Sequence, residues 1–200
     1  TNLLMRIIKK LLVLFLKQFD LGSAIAVRLT KLTGKSKVPI HPKHFLTQKP
    51  WFTNYINPKD IVLDLGSGNG QNAIKAARVA KRVVACEIDQ NLIAQAKTFA
   101  KIKKVKNIKW EQVNLEQKLK FNNANFDKAL FLDVLEHLKN RDQILEEIRR
   151  VLKLGGLLFL GVPNSQSSWK KLQRSVGFCS YSDPDHKIEF SEKQIKDFLK

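Results

Sequence analysis

The chain has 200 residues, of which 44% are hydrophobic, and this is enough apolar material for one domain with its own core. Its 36 Lys and Arg outnumber 18 acidic residues, so the net charge of +18 favours anionic partners such as lipid head groups or nucleic acid. The two cysteines, Cys86 and Cys179, are too few for a disulfide framework, so a reducing compartment and a cytoplasmic protein are expected.

The N-terminal segment is the most basic part of the chain. Residues 1–50 hold ten Lys or Arg and a single acid, Asp20. Between residues 3 and 19, apolar side chains recur at helical spacing with cations between them, which predicts a basic amphipathic helix. Its longest apolar run, residues 11–16, is far shorter than the ~20 residues that span a bilayer. Three roles are open: a cover over the sheet or a ligand cleft, which we favour; peripheral membrane contact through residues 3–19; or contact with nucleic-acid phosphates.

A polar, turn-rich segment, residues 31–49, follows this helix and is predicted to be a lid or a crossing loop. The chain is therefore predicted to comprise a basic helical extension and lid, residues 1–50, and a main domain, residues 51–200.

The most informative segment is the loop between the first predicted strand and the helix after it. An apolar strand runs into glycines at alternate positions: Gly66, Gly68 and Gly70, with Ser67 between the first two. Glycine permits positive φ and lets a ligand approach the backbone, whose free N–H groups point toward it. Asp64 adds a carboxylate beneath the loop, and a carboxylate suits a cationic group better than a pyrophosphate.

The later elements alternate between strands and helices, as in an α/β protein. A strand over residues 82–86 ends at Glu87, and Asp89 is the predicted N-cap of a helix over residues 91–100. Strands over residues 108–113 and 126–132 lead to Asn114-Leu115 and to Asp133-Val134-Leu135-Glu136-His137. A helix over residues 141–152, a Gly155-Gly156 turn and a strand over residues 157–162 follow.

Taken in order, these motifs resemble the class I S-adenosylmethionine-dependent methyltransferases, in particular the type 11 and quinone-pathway enzymes. The glycine loop is similar to their motif I, and residues 134–138 and 152–156 are similar to their "VLEHL" and "LKPGG" segments, with Leu154 where proline is usual. The resemblance implies a Rossmann-like, doubly wound, mostly parallel sheet in three α/β/α layers. Ser191 and Gln194 predict a capping box for a last helix, after which the family's last two strands are expected to be missing.

The resemblance also implies the cofactor, S-adenosylmethionine, with S-adenosylhomocysteine as its product. The glycine loop is expected to wrap the methionine end, Glu87 to accept from both ribose hydroxyls, and Ile88 to pack on the adenine. Asn114 stands where the family often has an acid, and its amide oxygen is expected to accept from the adenine amino group. The predicted cofactor-binding residues are Asp64, Gly66, Ser67, Gly68, Gly70, Glu87, Ile88, Asn114, Leu115 and Asp133.

Two histidines are the predicted catalytic residues. His137 is a candidate base because histidine titrates near neutral pH, although a role in orienting the cofactor loop is also open. His186 belongs to residues 165–189, which are expected to shape the acceptor pocket. Asp133, Glu136 and His137 are expected on one face of a helical turn. This pattern resembles one that binds a divalent metal in quinone-pathway O-methyltransferases, but the Glu-His pair is also common without metal, and no metal is predicted.

The methyl acceptor is expected to be a small molecule or lipid-like. RNA or DNA is a second hypothesis, although Val162-Pro163-Asn164 lacks the aromatic side chain that would clamp a flipped base. A non-catalytic scaffold that binds the cofactor is the third.

Overall fold

The computed structural model describes residues 50–175 and 185–199, together with residues 4, 6–8, 10–15, 17 and 18. The predicted lid, residues 31–49, lies outside the described residues. Contacts divide the chain into two compact units, one formed by residues 48–162 and the other by residues 1–47 with 163–200. The predicted division at residue 50 stays a prediction.

The first unit is built on a sheet of five parallel strands in the order β3-β2-β1-β4-β5. The strands are β1 Ile61–Leu65, β2 Arg82–Glu87, β3 Ile108–Gln112, β4 Phe126–Leu132 and β5 Leu152–Gly161. Three helices connect them: α1 Gln71–Ala77, α2 Gln90–Ile102 and α3 Arg141–Val151. The α/β prediction is therefore confirmed.

The central strands are apolar because both of their faces are covered. Four of the five residues of β1 are buried, as are all residues of β2 after Arg82. Parallel crossovers are right-handed and the strand order reverses after β3, so α1 and α2 lie on one face and α3 on the other. Alanines of α1 allow this helix to approach Val62, Val83 and Leu130 closely, and together they form a core cluster.

Strand β5 begins at Leu152 rather than at residue 157, where the sequence predicts it. Leu152 pairs with Phe126, and after a register shift Leu157 pairs with Lys128. The Gly155-Gly156 turn therefore lies within an irregular strand, and Gly155 takes a φ of 75° there.

The second unit contains three described helical segments. All described residues between 4 and 18 are helical, and α4 Ser168–Ser175 and α5 Glu192–Phe198 follow. Helix α5 opens on the predicted capping box of Ser191 and Gln194. Leu4, Leu11 and Phe15 are 60–64% exposed, and the expectation that the domain covers this apolar face stays a prediction. No helix within the described ranges is long and apolar enough to cross a membrane.

Candidate functional site

The first unit gathers most of the predicted site residues at one edge of its sheet. The strand order reverses between β1 and β4, and in open parallel sheets ligands bind beyond the carboxyl ends of the strands at such a point. The loops that leave β1, β2, β3 and β4 all start at this edge.

The glycine loop follows β1, and its three glycines all have positive φ, at 71°, 52° and 78°. A Cβ on Gly66 would lie 2.5 Å from a methyl group of Val134, and one on Gly70 would lie 2.5 Å from the Trp110 ring. A Cβ on Gly68 would meet nothing within 4 Å. Packing therefore requires the outer two glycines, whereas the middle one borders open space.

Glu87, at the end of β2, holds the glycine loop through its carboxylate. The Gly68 N–H donates to Glu87 Oε2 at 2.8 Å. The N–H groups of Ile88 and Asp89 donate to Oε1 at 2.8 and 3.1 Å. Asp89 in turn accepts from the Asn91 N–H at 2.7 Å, which confirms the predicted N-cap of α2. The loop after β1 and the loop after β2 are thus joined by one side chain.

Two buried polar atoms lie beneath the loop without a partner. Within the described part of the chain, neither Asp64 Oδ2 nor Ser67 Oγ has a hydrogen-bond partner, and both residues are buried. Burial raises the pKa of the Asp64 carboxyl to about 7, against the opposing hydrogen bond of the Ala73 N–H and with a further contribution from the negative charge of Glu87. A cation next to Asp64 would reverse this shift.

Next to β3, this edge of the sheet carries an apolar side chain, Ile88, and a side-chain amide, Asn114. Ile88 is 57% exposed, and its carbonyl accepts from the Gln112 side chain at 3.0 Å. Asn114 is half-buried, and its Oδ1 accepts from the Glu116 N–H at 2.9 Å. Because an amide oxygen has two lone pairs, it retains one acceptor position. Leu115, the next residue, is buried.

The segment after β4 differs from the sequence prediction. Asp133 takes a φ of 56°, and its N–H donates to the Gly161 carbonyl of β5 at 2.8 Å. The following 3₁₀ turn covers only Leu135–His137. The expectation that Asp133, Glu136 and His137 share one face of a helical turn is therefore wrong, because Asp133 bonds to the sheet in a left-handed conformation. Asp133 is exposed, Glu136 is buried and His137 is half-buried.

His186 belongs to the second unit, where it joins a buried charged cluster. Its Nδ1 lies 3.1 Å from Glu189 Oε1, and Glu189 Oε2 lies 3.0 Å from the Lys170 ammonium. All three side chains are buried. A carboxylate at Nδ1 fixes the orientation of the imidazole and favours the tautomer with the proton on that nitrogen.

Sequence reasoning missed the residues that shape the glycine loop from outside. Val134 and Trp110 fill the space that a Cβ on Gly66 or Gly70 would need, and Gln112 ties β3 to Ile88. The glycine spacing indicates that something packs closely there, but it does not identify the neighbour. Nothing in the sequence indicated that Lys170 and Glu189 form a buried ion pair, because charged residues at their spacing are ordinarily solvated.

Comparisons with known proteins agree with this geometry. Residues 63–160 match the family described as "Methyltransferase domain". A ubiquinone/menaquinone biosynthesis C-methyltransferase of Zymomonas mobilis is 28% identical over 120 residues, covering 59% of this chain and 49% of that protein. A tRNA 5-carboxymethoxyuridine methyltransferase of Escherichia coli is 33% identical over 100 residues, covering 50% of this chain and 38% of that protein.

A solved structure, a SAM-dependent methyltransferase of Methanosarcina mazei, is 26% identical with a TM-score of 0.60, and the match covers 77% of this chain and 84% of the other. The chain spans about half the length of the curated relatives that it matches.

Proposed function

Because this chain belongs to the class I S-adenosylmethionine-dependent methyltransferases, we propose that it transfers the cofactor's methyl group to a small or lipid-like acceptor. The observation that carries this proposal is the glycine loop, which leaves open space at Gly68 above the buried carboxyl of Asp64. The quinone-pathway relative supports the acceptor class, since its name states an acceptor pathway of that kind.

The residues present fit S-adenosylmethionine, which is the cofactor of this family. The lone buried oxygens of Asp64 and Ser67 offer acceptors for the ammonium of its methionine part. Glu87 lies at the end of β2, and its carboxylate would accept hydrogen bonds from the ribose hydroxyls. The exposed side chain of Ile88 offers an apolar surface for the adenine. Asn114 Oδ1 retains one acceptor position for the adenine amino group. When bound, the cofactor supplies an activated methyl group.

Binding of S-adenosylhomocysteine, measured by calorimetry, tests the cofactor site. We expect Glu87→Ala to weaken binding at least about tenfold, because a single hydrogen bond to a charged group contributes about 1.5–3 kcal/mol. Glu111→Ala is the matched control, since Glu111 is a half-buried acid on β3 that pairs with Lys109. No binding by the unsubstituted chain at high micromolar ligand would refute the cofactor site.

We propose His137 as the general base, with Asp133 beside it at the cofactor edge. The supporting observation is that both follow β4, at the carboxyl edge where the glycine loop lies. His137→Gln is expected to lower kcat about 10²–10⁴-fold while leaving the affinity for S-adenosylhomocysteine unchanged. Weaker binding with unchanged kcat would instead assign His137 to orienting the loop.

His186 is the second candidate base. Its support is the fixed imidazole orientation given by Glu189. His186→Gln and Glu189→Gln are expected to change the pH profile of kcat together, because both alter the same imidazole. If only His137→Gln affects kcat, His186 is structural.

RNA is the second candidate acceptor, and a specific surface favours it. Two hollows of about 400 and 660 Å³ lie along α2, the start of β3 and the amino-terminal ends of β1 and β2. Lysines and one arginine line them, and no acidic residue does so within the described ranges. The basic residues are Lys81, Arg82, Lys97, Lys101, Lys104, Lys106 and Lys109. The tRNA relative is a further reason to consider this acceptor.

A salt titration against mixed RNA separates this candidate from the first. Binding through phosphates must weaken steeply with salt, and Lys101→Glu with Lys106→Glu should abolish it. Lys193→Glu, which changes an exposed lysine of α5, is the control. Transfer of labelled methyl groups in a cell extract then identifies the product as organic-soluble or as RNA. Cofactor binding without transfer to either fraction would favour the non-catalytic scaffold.

A lipid-like acceptor also implies where the protein works. We propose a cytoplasmic protein that meets its acceptor at a membrane surface through residues 3–19. Cell fractionation tests this location: recovery in the membrane fraction at low salt and in the cytosolic fraction at high salt is expected.

A further inference from the structure

The described residues of the N-terminal helix leave an apolar stripe uncovered. Leu4, Leu11 and Phe15 are 64%, 60% and 61% exposed, and Ile7, Ile8 and Leu14 are 47–54% exposed. Single exposed apolar residues are ordinary, but six on one short helix form a contiguous patch of the kind that marks an interaction site.

Among the described residues of this helix, the apolar stripe and the cations occupy separate sectors. At about 100° per residue, the six exposed apolar side chains fall within an arc of about 120°, with Gln18 as the only polar residue described there. Arg6, Lys10 and Lys17 are all exposed and fall within an adjoining arc of about 40°. Leu12 and Val13 are half-buried and lie on the remaining side. The described residues of the helix therefore present an exposed apolar stripe beside a stripe of cations.

We propose that this helix is an interfacial membrane anchor that lies on an anionic phospholipid bilayer. A bilayer surface offers acyl chains to the apolar stripe and phosphates to the neighbouring cations at the same time. Nucleic acid would neutralise Arg6, Lys10 and Lys17 but leave the aliphatic stripe in water. A second copy would cover the stripe but bring a second row of cations against the first. Of these three partners, only the bilayer contacts the apolar stripe and also neutralises the cations.

The functional consequence of this anchor rests on the proposed function. With a lipid-like acceptor, the helix would hold the protein at the bilayer surface in which that acceptor is dissolved. Docking itself does not depend on methyl transfer, so the two are tested separately. Calorimetry with S-adenosylhomocysteine reports on the cofactor site, and vesicle binding reports on the helix.

The first experiment sediments the 200-residue chain with vesicles of phosphatidylcholine, with and without phosphatidylglycerol. We expect binding to the anionic vesicles at low salt, partial release at high salt, and weak binding to neutral vesicles. No binding to anionic vesicles at low salt overturns the proposal.

The second experiment separates the stripe from general charge. Leu11→Glu is expected to weaken vesicle binding about tenfold or more, because it removes a leucine that the bilayer would bury and adds a charge of the wrong sign. Leu154→Glu is the matched control, since Leu154 is fully exposed on the turn within β5, and it should leave binding within about twofold. Thermal unfolding and S-adenosylhomocysteine affinity of both variants should match the parent chain. Equal losses in the two variants overturn the proposal.

The third experiment examines the competing occupants. Sedimentation velocity without lipid is expected to show a monomer; a dimer that Leu11→Glu dissociates would assign the stripe to a second copy instead. RNA binding that is lost with Arg6→Gln and Lys10→Gln but unaffected by Leu11→Glu, in the absence of vesicle binding, would assign the cations to nucleic acid.

Discussion

At the residue scale, the charge of Asp64 is sensitive to its surroundings. Its carboxyl is buried and its pKa is raised to about 7. Between pH 4 and 7 the folded chain therefore holds a proton that the unfolded chain has already released. The stabilising contribution of Asp64 is fully present at low pH and is lost as the pH rises through about 7.

The raised pKa of Asp64 predicts how the stability of the parent chain should compare with that of Asp64→Asn when no cofactor is bound. From pH 5 to pH 8, the free energy of unfolding of the parent chain should fall relative to the variant by about 3 kcal/mol, because the variant has no carboxyl to ionise. Urea denaturation at both pH values measures the difference. Parallel pH profiles for the two proteins would show that Asp64 ionises without penalty.

The same carboxyl makes ligand binding depend on pH in the opposite direction. An ammonium next to Asp64 favours the carboxylate, so the affinity for S-adenosylhomocysteine should rise as the pH increases toward about 7 and level off above it. Titration calorimetry across this range measures the change. Asp64→Asn should flatten the profile, and a profile that stays equally steep in the variant would assign the pH dependence to another group.

Substitutions at two glycines of the loop should affect stability and S-adenosylhomocysteine binding differently. Gly70→Ala places a Cβ 2.5 Å from Trp110, so we expect a loss of about 2–4 kcal/mol in unfolding free energy. Gly68→Ala meets nothing within 4 Å and should cost only about 1 kcal/mol for its positive φ. Its Cβ borders the open space, however, so S-adenosylhomocysteine binding should weaken. Denaturation and calorimetry on both variants test this contrast, which equal stability losses would contradict.

At the residue scale, the sequence predicted the glycines and Glu87 because their spacing reflects backbone requirements that are local. The arrangement of Asp133, Glu136 and His137 was mispredicted because a hydrogen bond to Gly161, far along the chain, decides the conformation of Asp133. Local spacing contains no information about that partner.

At the scale of elements, α3 is fastened to the segment before β4 by an arginine fork. The Arg150 guanidinium donates to the carbonyls of Phe121 and Leu119 at 2.8 and 2.9 Å and to the Glu147 carboxylate at 2.7 and 2.9 Å. Glu147 also accepts from the Leu119 N–H at 2.8 Å. The pair therefore fixes the backbone that leads into β4, which carries the site segment at its other end.

Arg150→Lys should show how much this fork contributes. Lysine keeps the charge but cannot make several planar hydrogen bonds at once, so the carbonyls lose partners and stability should fall by about 1–3 kcal/mol. Arg149→Lys, at an exposed neighbouring position, should change stability by less than about 0.5 kcal/mol. Urea denaturation compares the two, and equal effects would mean that the fork is not stabilising.

The elements themselves were largely predictable, because buried parallel strands are continuous apolar runs and helices alternate with them. Strand β4 was predicted at its observed bounds for this reason. The start of β5 was not, since Leu152 pairs with Phe126 before the left-handed turn at Gly155, and a glycine pair ordinarily signals the end of an element.

At the scale of the whole molecule, the sequence gives the amount of charge but not its distribution. The net charge of +18 is not evenly spread, because the two hollows bring together basic residues that are far apart in the chain, such as Lys81 and Lys106. Likewise, helical spacing predicted an apolar stripe on the N-terminal helix, but only the structure indicates that Leu4, Leu11 and Phe15 are exposed.

Like charges that are crowded together should make stability depend on salt. Raising the NaCl concentration should raise Tm, because a Debye length of about 8 Å at physiological ionic strength screens repulsion among neighbouring lysines. Lys106→Glu should raise Tm at low salt and reduce this salt dependence more than Lys193→Glu does, since Lys106 borders both hollows. The two variants have the same net charge, so a difference between them measures local crowding. Calorimetric scans at low and high NaCl provide the values, and identical salt dependences would show that the repulsion arises from the net charge alone.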